Sequence, residues 1–180
     1  MKFHGRERLG KRLGGLLSTS WHALGEALQI DTPVLIPVPL YRARQRERGF
    51  NQAQLLTQGL RRVLPIAVSG RGLRVETRCL RRVRPTAPQL GLSLHARREN
   101  VRGVFVVDHP ERVSERDIVL VDDVMTTGAT LSACAAALKQ AGARRVLAVT
   151  LARATPQFPD FIAETGADDG TVRAPATEGA

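Results

Sequence analysis

The sequence predicts an α/β fold built on a central, mostly parallel sheet flanked by helices, and three observations carry that expectation. Residues 117–121 (DIVLV) are an unbroken apolar run rich in β-branched residues, the pattern of a strand buried on both faces. Leu131, Cys134, Ala135 and Leu138 then recur at i, i+3, i+4 and i+7, which is one face of a helix. Residues 145–151 (RVLAVTL) form the next apolar run. Strand, loop, helix and strand thus follow within roughly 35 residues, the length of a βαβ unit, whose strands are parallel and whose crossover is right-handed.

The remaining elements follow in chain order. Residues 6–30 place Leu9, Leu13, Leu16 and Leu17 on one helical face, with Trp21 as a core or docking residue. Residues 32–38 (TPVLIPV) read as a buried strand, and Pro33 and Pro37 belong at its ends because proline donates no ladder hydrogen bond. Residues 39–49 read as an arginine-rich loop, and Asn51 caps a helix that runs to about Leu64, before Pro65. Glycines at 70 and 72 precede a candidate strand over 73–77, and RRVRPTAPQ (81–89) reads as exposed loop. A short helix over 94–100 and a strand over 103–107 lead into the βαβ unit, whose helix closes at Ala141-Gly142. From about Thr155 the chain is rich in Ala, Gly, Pro, Thr and acids without periodicity, the composition of a disordered tail. The expected organisation is one domain over 1–154 and a tail over 155–180, with no internal repeats.

Composition narrows the function classes. A chain of 180 residues with 43 % apolar content suits one soluble domain with a proper core. No apolar run nears the length of about 20 residues that spans a bilayer, and the N-terminal charges precede no signal core, so a cytoplasmic protein without membrane insertion is expected. Cys79 and Cys134 stand far apart without C-x-x-C spacing, as reduced thiols rather than zinc ligands. His4 and His95 have no metal-spaced partners and read as surface residues. The net charge is +10, and residues 42–102 hold fifteen arginines, no lysine and three acids (Glu47, Glu76, Glu99). Such a segment attracts polyanions: pyrophosphate, nucleotides, nucleic acid or anionic lipid.

The chemistry sits in residues 119–130 (VLVDDVMTTGAT). In an open parallel sheet ligands bind at the C-terminal ends of the strands, where Asp122 and Asp123 fall. Met125, Thr126, Thr127, Gly128, Ala129 and Thr130 then form a tight turn onto a helix N-terminus, whose backbone N–H groups and dipole favour a phosphate. Gly128 lets the backbone approach closely, and Thr126, Thr127 and Thr130 each offer a hydroxyl. A ligand meeting both ends carries a phosphate and, nearby, vicinal hydroxyls, as a ribose 5-phosphate does. The Walker loop and the dinucleotide fingerprint are both absent.

Four apolar residues, an acidic pair and TTG-x-T two residues on resemble the phosphoribosyl-pyrophosphate (PRPP) signature of type I phosphoribosyltransferases. Together with KFHGR (2–6), PVPLYRARQRERGFNQ (37–52) and PQLGLSLHARRENVRGVF (88–105), the chain resembles the ComF family of competence proteins over residues 2–153. The resemblance implies a type I phosphoribosyltransferase-like sheet with Asp122 and Asp123 receiving the ribose 2′ and 3′ hydroxyls and the 125–130 turn cradling the 5′-phosphate. It places a pyrophosphate loop at Pro39, Leu40, Tyr41 and Arg42, with Arg44, Arg48 and Arg84 as further basic contacts. Mg²⁺ is expected to be held mainly through PRPP, with no protein metal site. The cysteine-rich zinc ribbon that usually precedes KFHGR in the family is not in this sequence, so no zinc is expected. The third loop acid of purine-type transferases is replaced by Thr126, which disfavours purine salvage.

Two function classes follow. One is a transferase moving phosphoribose from PRPP to a base, amine or nucleotide fragment. The other is a non-catalytic protein handling single-stranded DNA with the competence machinery, or a PRPP-sensing regulator. Arg97, Arg98 and Asn100 suit DNA phosphates or a solvated helix face equally. Aromatic residues are only 4 % of the chain, few for the stacking platforms of a dedicated strand binder. Oligomeric state is not legible in the sequence; a homodimer is one possibility, since the resemblance is to a fold that often dimerises.

Overall fold

The structure, a computed structural model, describes residues 33–64, 73–86 and 94–153, together with Leu13, Leu17, Trp21, Glu164–Thr165 and Val172–Arg173. Its centre is a four-stranded parallel sheet of strands β1 (Val34–Pro37), β2 (Arg74–Val75), β5 (Asp117–Met125) and β6 (Arg145–Arg153), in the order β2-β1-β5-β6. A separate antiparallel ribbon joins β3 (Leu80–Arg82) to β4 (Phe105–Val107). Helix α1 spans Arg42–Arg48, α2 Gln52–Val63, α3 Leu94–Val101 and α4 Ala129–Gln140.

The unbroken apolar runs exist because the two central strands bury both faces, one residue up and the next down. Val34 and Ile36 of β1, with Ile118 and Leu120 of β5, pack into one core with Leu131, Cys134 and Leu138 of α4 and Leu80 and Phe105 of the ribbon. Leu35, Val119 and Val121 point the other way, into a second core with Leu56 and Leu60 of α2, and Leu147 and Val149 of β6. Leu17 is buried in that second core, with Leu13 and Trp21 packed against it, in keeping with the amphipathic pattern at these three positions. The rest of the segment over residues 6–30, including Leu9 and Leu16, lies outside the described residues, as do KFHGR and His4.

The βαβ unit is as expected, with β5 and β6 parallel and α4 between them in sequence. Pro37 ends β1, and Asn51 caps α2, its side-chain oxygen accepting from the Ala53 N–H at 3.0 Å. Three expectations need correction. Residues 42–48 are helical rather than loop; Arg, Ala, Gln and Glu all favour helix, and Gly49 (φ 73°) closes it by donating to Gln45 O. No residue of α1 is buried, so the helix leaves no apolar periodicity to read. Arg81 and Arg82 belong to β3 rather than to an exposed loop, and Arg82 is half-buried with its guanidinium 5.8 Å from the Phe105 ring centre. Residues 87–89 of that segment lie outside the described residues. Finally, β5 runs on through the acidic pair to Met125 instead of stopping at Val121, because β6 continues to pair with it.

Both cysteines are buried and free. Burial pushes the Cys79 thiol up to about 11 and the Cys134 thiol well above its ordinary value, which leaves neither a nucleophile at neutral pH. No helix among the described residues is long and apolar enough to cross a membrane. Within the 155–180 tail, Glu164–Thr165 pairs antiparallel with Val172–Arg173, and the remainder lies outside the described residues.

Candidate functional site at the end of the central strand

Connectivity locates a crevice. From β1 the chain passes through α1 and α2 to β2, with α2 on the face of the second core; from β5 it passes through α4 to β6 on the other side, with α4 on the face of the first. Neighbouring strands β1 and β5 therefore send their connections in opposite directions over opposite faces, which makes their C-terminal ends the topological switch point of the sheet. The ladder between them ends at Pro37↔Val121, extended by the Val38 N–H donating to Val121 O at 2.9 Å. Beyond it β5 continues for four residues paired only with β6, and Asp122 and Asp123 open that overhang.

Both carboxylates are half-buried and turn back on the strand. Asp122 Oδ1 accepts from the Asp123 N–H at 2.9 Å, and Asp123 Oδ1 accepts from the Val124 N–H at 2.9 Å. Burial pushes the Asp122 carboxyl up to about 7. The hydrogen bond from the Asp123 N–H opposes the rise, the Asp123 carboxylate adds to it, and the Arg82 charge opposes it. Beyond Met125, residues 126–128 bend sharply and α4 begins. Gly128 is its N-cap, at φ 74° and without a side-chain capping bond. A Cβ there would meet nothing nearer than Met125 Sδ at 4.0 Å, so backbone conformation rather than crowding calls for glycine. Ala129 N–H reaches Thr127 Oγ1 only at 3.5 Å, long for a hydrogen bond. The turn thus presents a helix N-terminus, with no side-chain bond from its N-cap residue, beside two carboxylates.

The sites predicted from sequence fare differently. Pro39, Leu40 and Tyr41 are half-buried and follow β1 at the same switch point as the acidic pair. Arg42, Arg44 and Arg48 are exposed on α1. Arg44 is close enough to Arg82 to repel it, and Arg42 contributes to holding the Asp108 carboxyl below its ordinary value. Arg84 instead donates to the Arg102 carbonyl at 2.6 Å, out on the ribbon's exposed end. The side chains of Arg97 and Arg98 lie outside the described residues. Arg82 is the residue sequence reasoning missed: it sits in a run of arginines that looks uniformly solvated, and only the pairing of Arg82 with Phe105 across the ribbon turns it inward.

Comparison with known proteins gives the chain its family. The phosphoribosyl transferase domain family model matches residues 63–166. Competence protein F of Haemophilus influenzae is 36 % identical over 155 residues, covering 85 % of this chain and 65 % of that protein. DNA utilization protein YhgH of Escherichia coli O6:H1 is 34 % identical over 154 residues, covering 85 % and 64 %. Competence protein ComFC of Bacillus subtilis is 33 % identical over 122 residues, covering 67 % and 44 %. The chain therefore spans a little under two thirds of the length of the first two relatives. With the matched region taking in the acidic pair, the Gly128 turn and the whole βαβ unit, the chain belongs to the phosphoribosyl transferase domain family, with competence protein F and its homologues among its relatives.

Proposed function

We propose that this protein binds PRPP at the end of β5 and transfers its phosphoribosyl group to a nitrogen acceptor of the base, amine or nucleotide class. One observation carries the reading: a carboxylate pair and a glycine-capped helix N-terminus meet at the switch point of the parallel sheet. The first-turn N–H groups of α4 and the hydroxyls of Thr126, Thr127 and Thr130 take the 5′-phosphate. Asp122 and Asp123, as carboxylates, accept from the ribose 2′ and 3′ hydroxyls and fix the sugar. The segment from Pro39 to Arg42 lies where the pyrophosphate leaves, with Arg44 beside it.

The residues fit a magnesium-bridged ligand. Two carboxylates offer hard oxygen donors, and no group of three or more His, Cys, Asp or Glu among the described residues builds a cage of its own. Mg²⁺, when bound, would be held mainly by oxygens of PRPP and would supply charge neutralisation for a departing pyrophosphate. The chain's own contribution is positioning and electrostatics: hydroxyls held by the acidic pair, phosphate held by the turn, and arginine charge facing the leaving group.

The test is calorimetric titration of PRPP with Mg²⁺ into the wild type and Asp123→Asn. Binding is expected in the wild type, strengthening as pH rises through about 7 while Asp122 ionises, and falling at least about tenfold in the variant through loss of a charged acceptor. Absence of wild-type binding overturns the proposal.

A second reading is favoured by the exposed basic helix α1 beside the site and by relatives named for competence and DNA utilization. In it, single-stranded DNA or nucleotides dock along α1, with or without phosphoribosyl transfer. Affinity for single strands that falls steeply with salt and survives Asp123→Asn separates it from the first.

A further inference from the structure

Helix α1 carries charge that the rest of the described fold does not answer. Its sequence, RARQRER, sets Arg42 against Arg46 and Arg44 against Arg48 at i, i+4, where like charges are neighbours and repel. None of its residues is buried, Glu47 is its one acid, and none of its arginines forms an ion pair among the described residues. Burial does not hold this helix and its own charges oppose it, so an anionic neighbour would stabilise it.

Two independent observations name that neighbour. The first is the distribution of charge along the chain. Residues 155–180 hold five acids (Asp160, Glu164, Asp168, Asp169 and Glu178) against a single cation, Arg173, the reverse of the arginine-rich stretch that contains α1. The second is topology. Strands β1 and β6 both run parallel to β5, so their C-terminal ends lie at the same end of the sheet. From there β1 leads into α1, and β6 leads into residues 155–180. By the register, β6 runs four residues beyond the level of Pro37, and β5 alone separates it from β1. Adjacent strands stand about 4.8 Å apart, which sets the two exits about 10 Å apart across the sheet. Asp160 follows Arg153 by seven residues and can stand up to about 23 Å from it, and Asp168 and Asp169 farther still. Glu164–Thr165 lies against β6, so this part of the chain stays beside the sheet it leaves.

We propose that residues 155–180 fold back onto α1 as an intrachain counter-ion, their carboxylates facing Arg42, Arg44, Arg46 and Arg48. The contact is electrostatic and reversible: tethering keeps the acids at high local concentration beside the helix, and salt or a denser polyanion displaces them. A phosphodiester strand reaching α1 therefore competes with the chain's own acids. The contact itself is independent of the sugar-phosphate reading; its effect on strand affinity rests on the second reading above.

The test begins without ligand, on the full chain carrying a nitroxide at Ala167→Cys; Cys79 and Cys134, both 0 % exposed, stay unlabelled. Paramagnetic broadening of the α1 backbone amides is read at low salt and again at about 1 M, where charges are screened beyond about 3 Å. Broadening at low salt that disappears at high salt is expected. Its absence at low salt overturns the proposal, and so does broadening that salt leaves unchanged. The same label in a chain with Asp160→Asn, Glu164→Gln, Asp168→Asn and Asp169→Asn is expected to leave α1 sharp, and retained broadening overturns the electrostatic account. Mixing labelled chain with unlabelled ¹⁵N chain separates the sources: broadening that arises only between molecules assigns the acids to a second copy and overturns the intrachain contact. Oligothymidylate binding then reports separately. The four-site variant is expected to bind at least about threefold more tightly than wild type at low salt, since α1 is no longer occupied. Equal affinities overturn the competition. If neither chain binds the strand, the second reading falls and the label alone decides the contact.

Discussion

Strand β5 opens on Asp117 and carries Asp122 where it outruns β1, and their surroundings drive the two in opposite directions. Asp117 at the start is 4 % exposed, and Arg145 and Arg144 each grip it with two nitrogens at 2.6–2.9 Å. Those bonds, Arg145 foremost, outweigh burial and hold its carboxyl far below the ordinary range. Its stabilising contribution is therefore fully present above about pH 4, where the unfolded carboxyl is already ionised, and drains away as pH falls below that. Asp117→Asn is expected to cost about 3 kcal/mol at pH 7, since it leaves two guanidinium groups facing a neutral amide. Urea denaturation at pH 7 and pH 3 checks this: the gap between wild type and variant should narrow at the lower pH, and a constant gap would contradict the ionic account. Asp122 runs the other way. Its raised carboxyl favours the folded state below the unfolded value near 4, and that advantage is lost as pH climbs toward about 7. A residue that lowers stability when ionised, at a strand end facing a crevice, is where a binding site is expected to depart from the optimum for folding.

At the scale of elements, legibility in the sequence follows how local the cause is. Asn51 could be read because capping is decided within three residues. It does more than cap, however: its Nδ2 donates to Val38 O at 3.0 Å, so one buried side chain ties the start of α2 to the end of β1. Asn51→Ala is expected to lose about 2 kcal/mol, the upper part of the capping range, because the Val38 carbonyl also loses a partner. Thermal melts of the variant and of Asn51→Asp, which keeps the cap but cannot donate to Val38, would divide the loss between the two bonds. The βαβ unit could be read for a similar reason, since a strand buried on both faces has to be apolar throughout. Helix α1 was hidden because none of its residues is buried, and β3 because Arg82, two residues on from the buried Leu80 and on the same face, interrupts the apolar pattern. Sequence patterns report burial of carbon, and a guanidinium lying over Phe105 is burial of another kind. The acidic pair and the Gly128 turn were visible in a dozen consecutive residues, whereas the half-buried Arg82 emerges only once its strand is paired with Phe105.

For the molecule as a whole, positive charge is gathered rather than spread, and the fold decides where it goes. The fifteen arginines of residues 42–102 do not form one surface. Arg74, with Arg112 from beyond that segment, holds the buried Glu76, Arg81 is engaged by Asp108, Arg84 by a carbonyl, and Arg82 lies over Phe105. Four others stand on the exposed helix α1, which follows β1 at the C-terminal end of the parallel strands. If a nucleic-acid strand docks on this protein by charge, α1 is the element that presents phosphates with cations already arrayed and already free of the core. Replacing Arg42, Arg46 and Arg48 with Gln, while keeping Arg44 beside Arg82, tests this without touching a buried side chain. Stability should be unchanged. The slope of log affinity for single-stranded DNA against log salt should fall by about 2, at roughly 0.7 per phosphate contact. A slope unmoved by the triple substitution would show that α1 does not carry a strand, and its arginines would then belong with Arg44 to the anionic end of a small ligand.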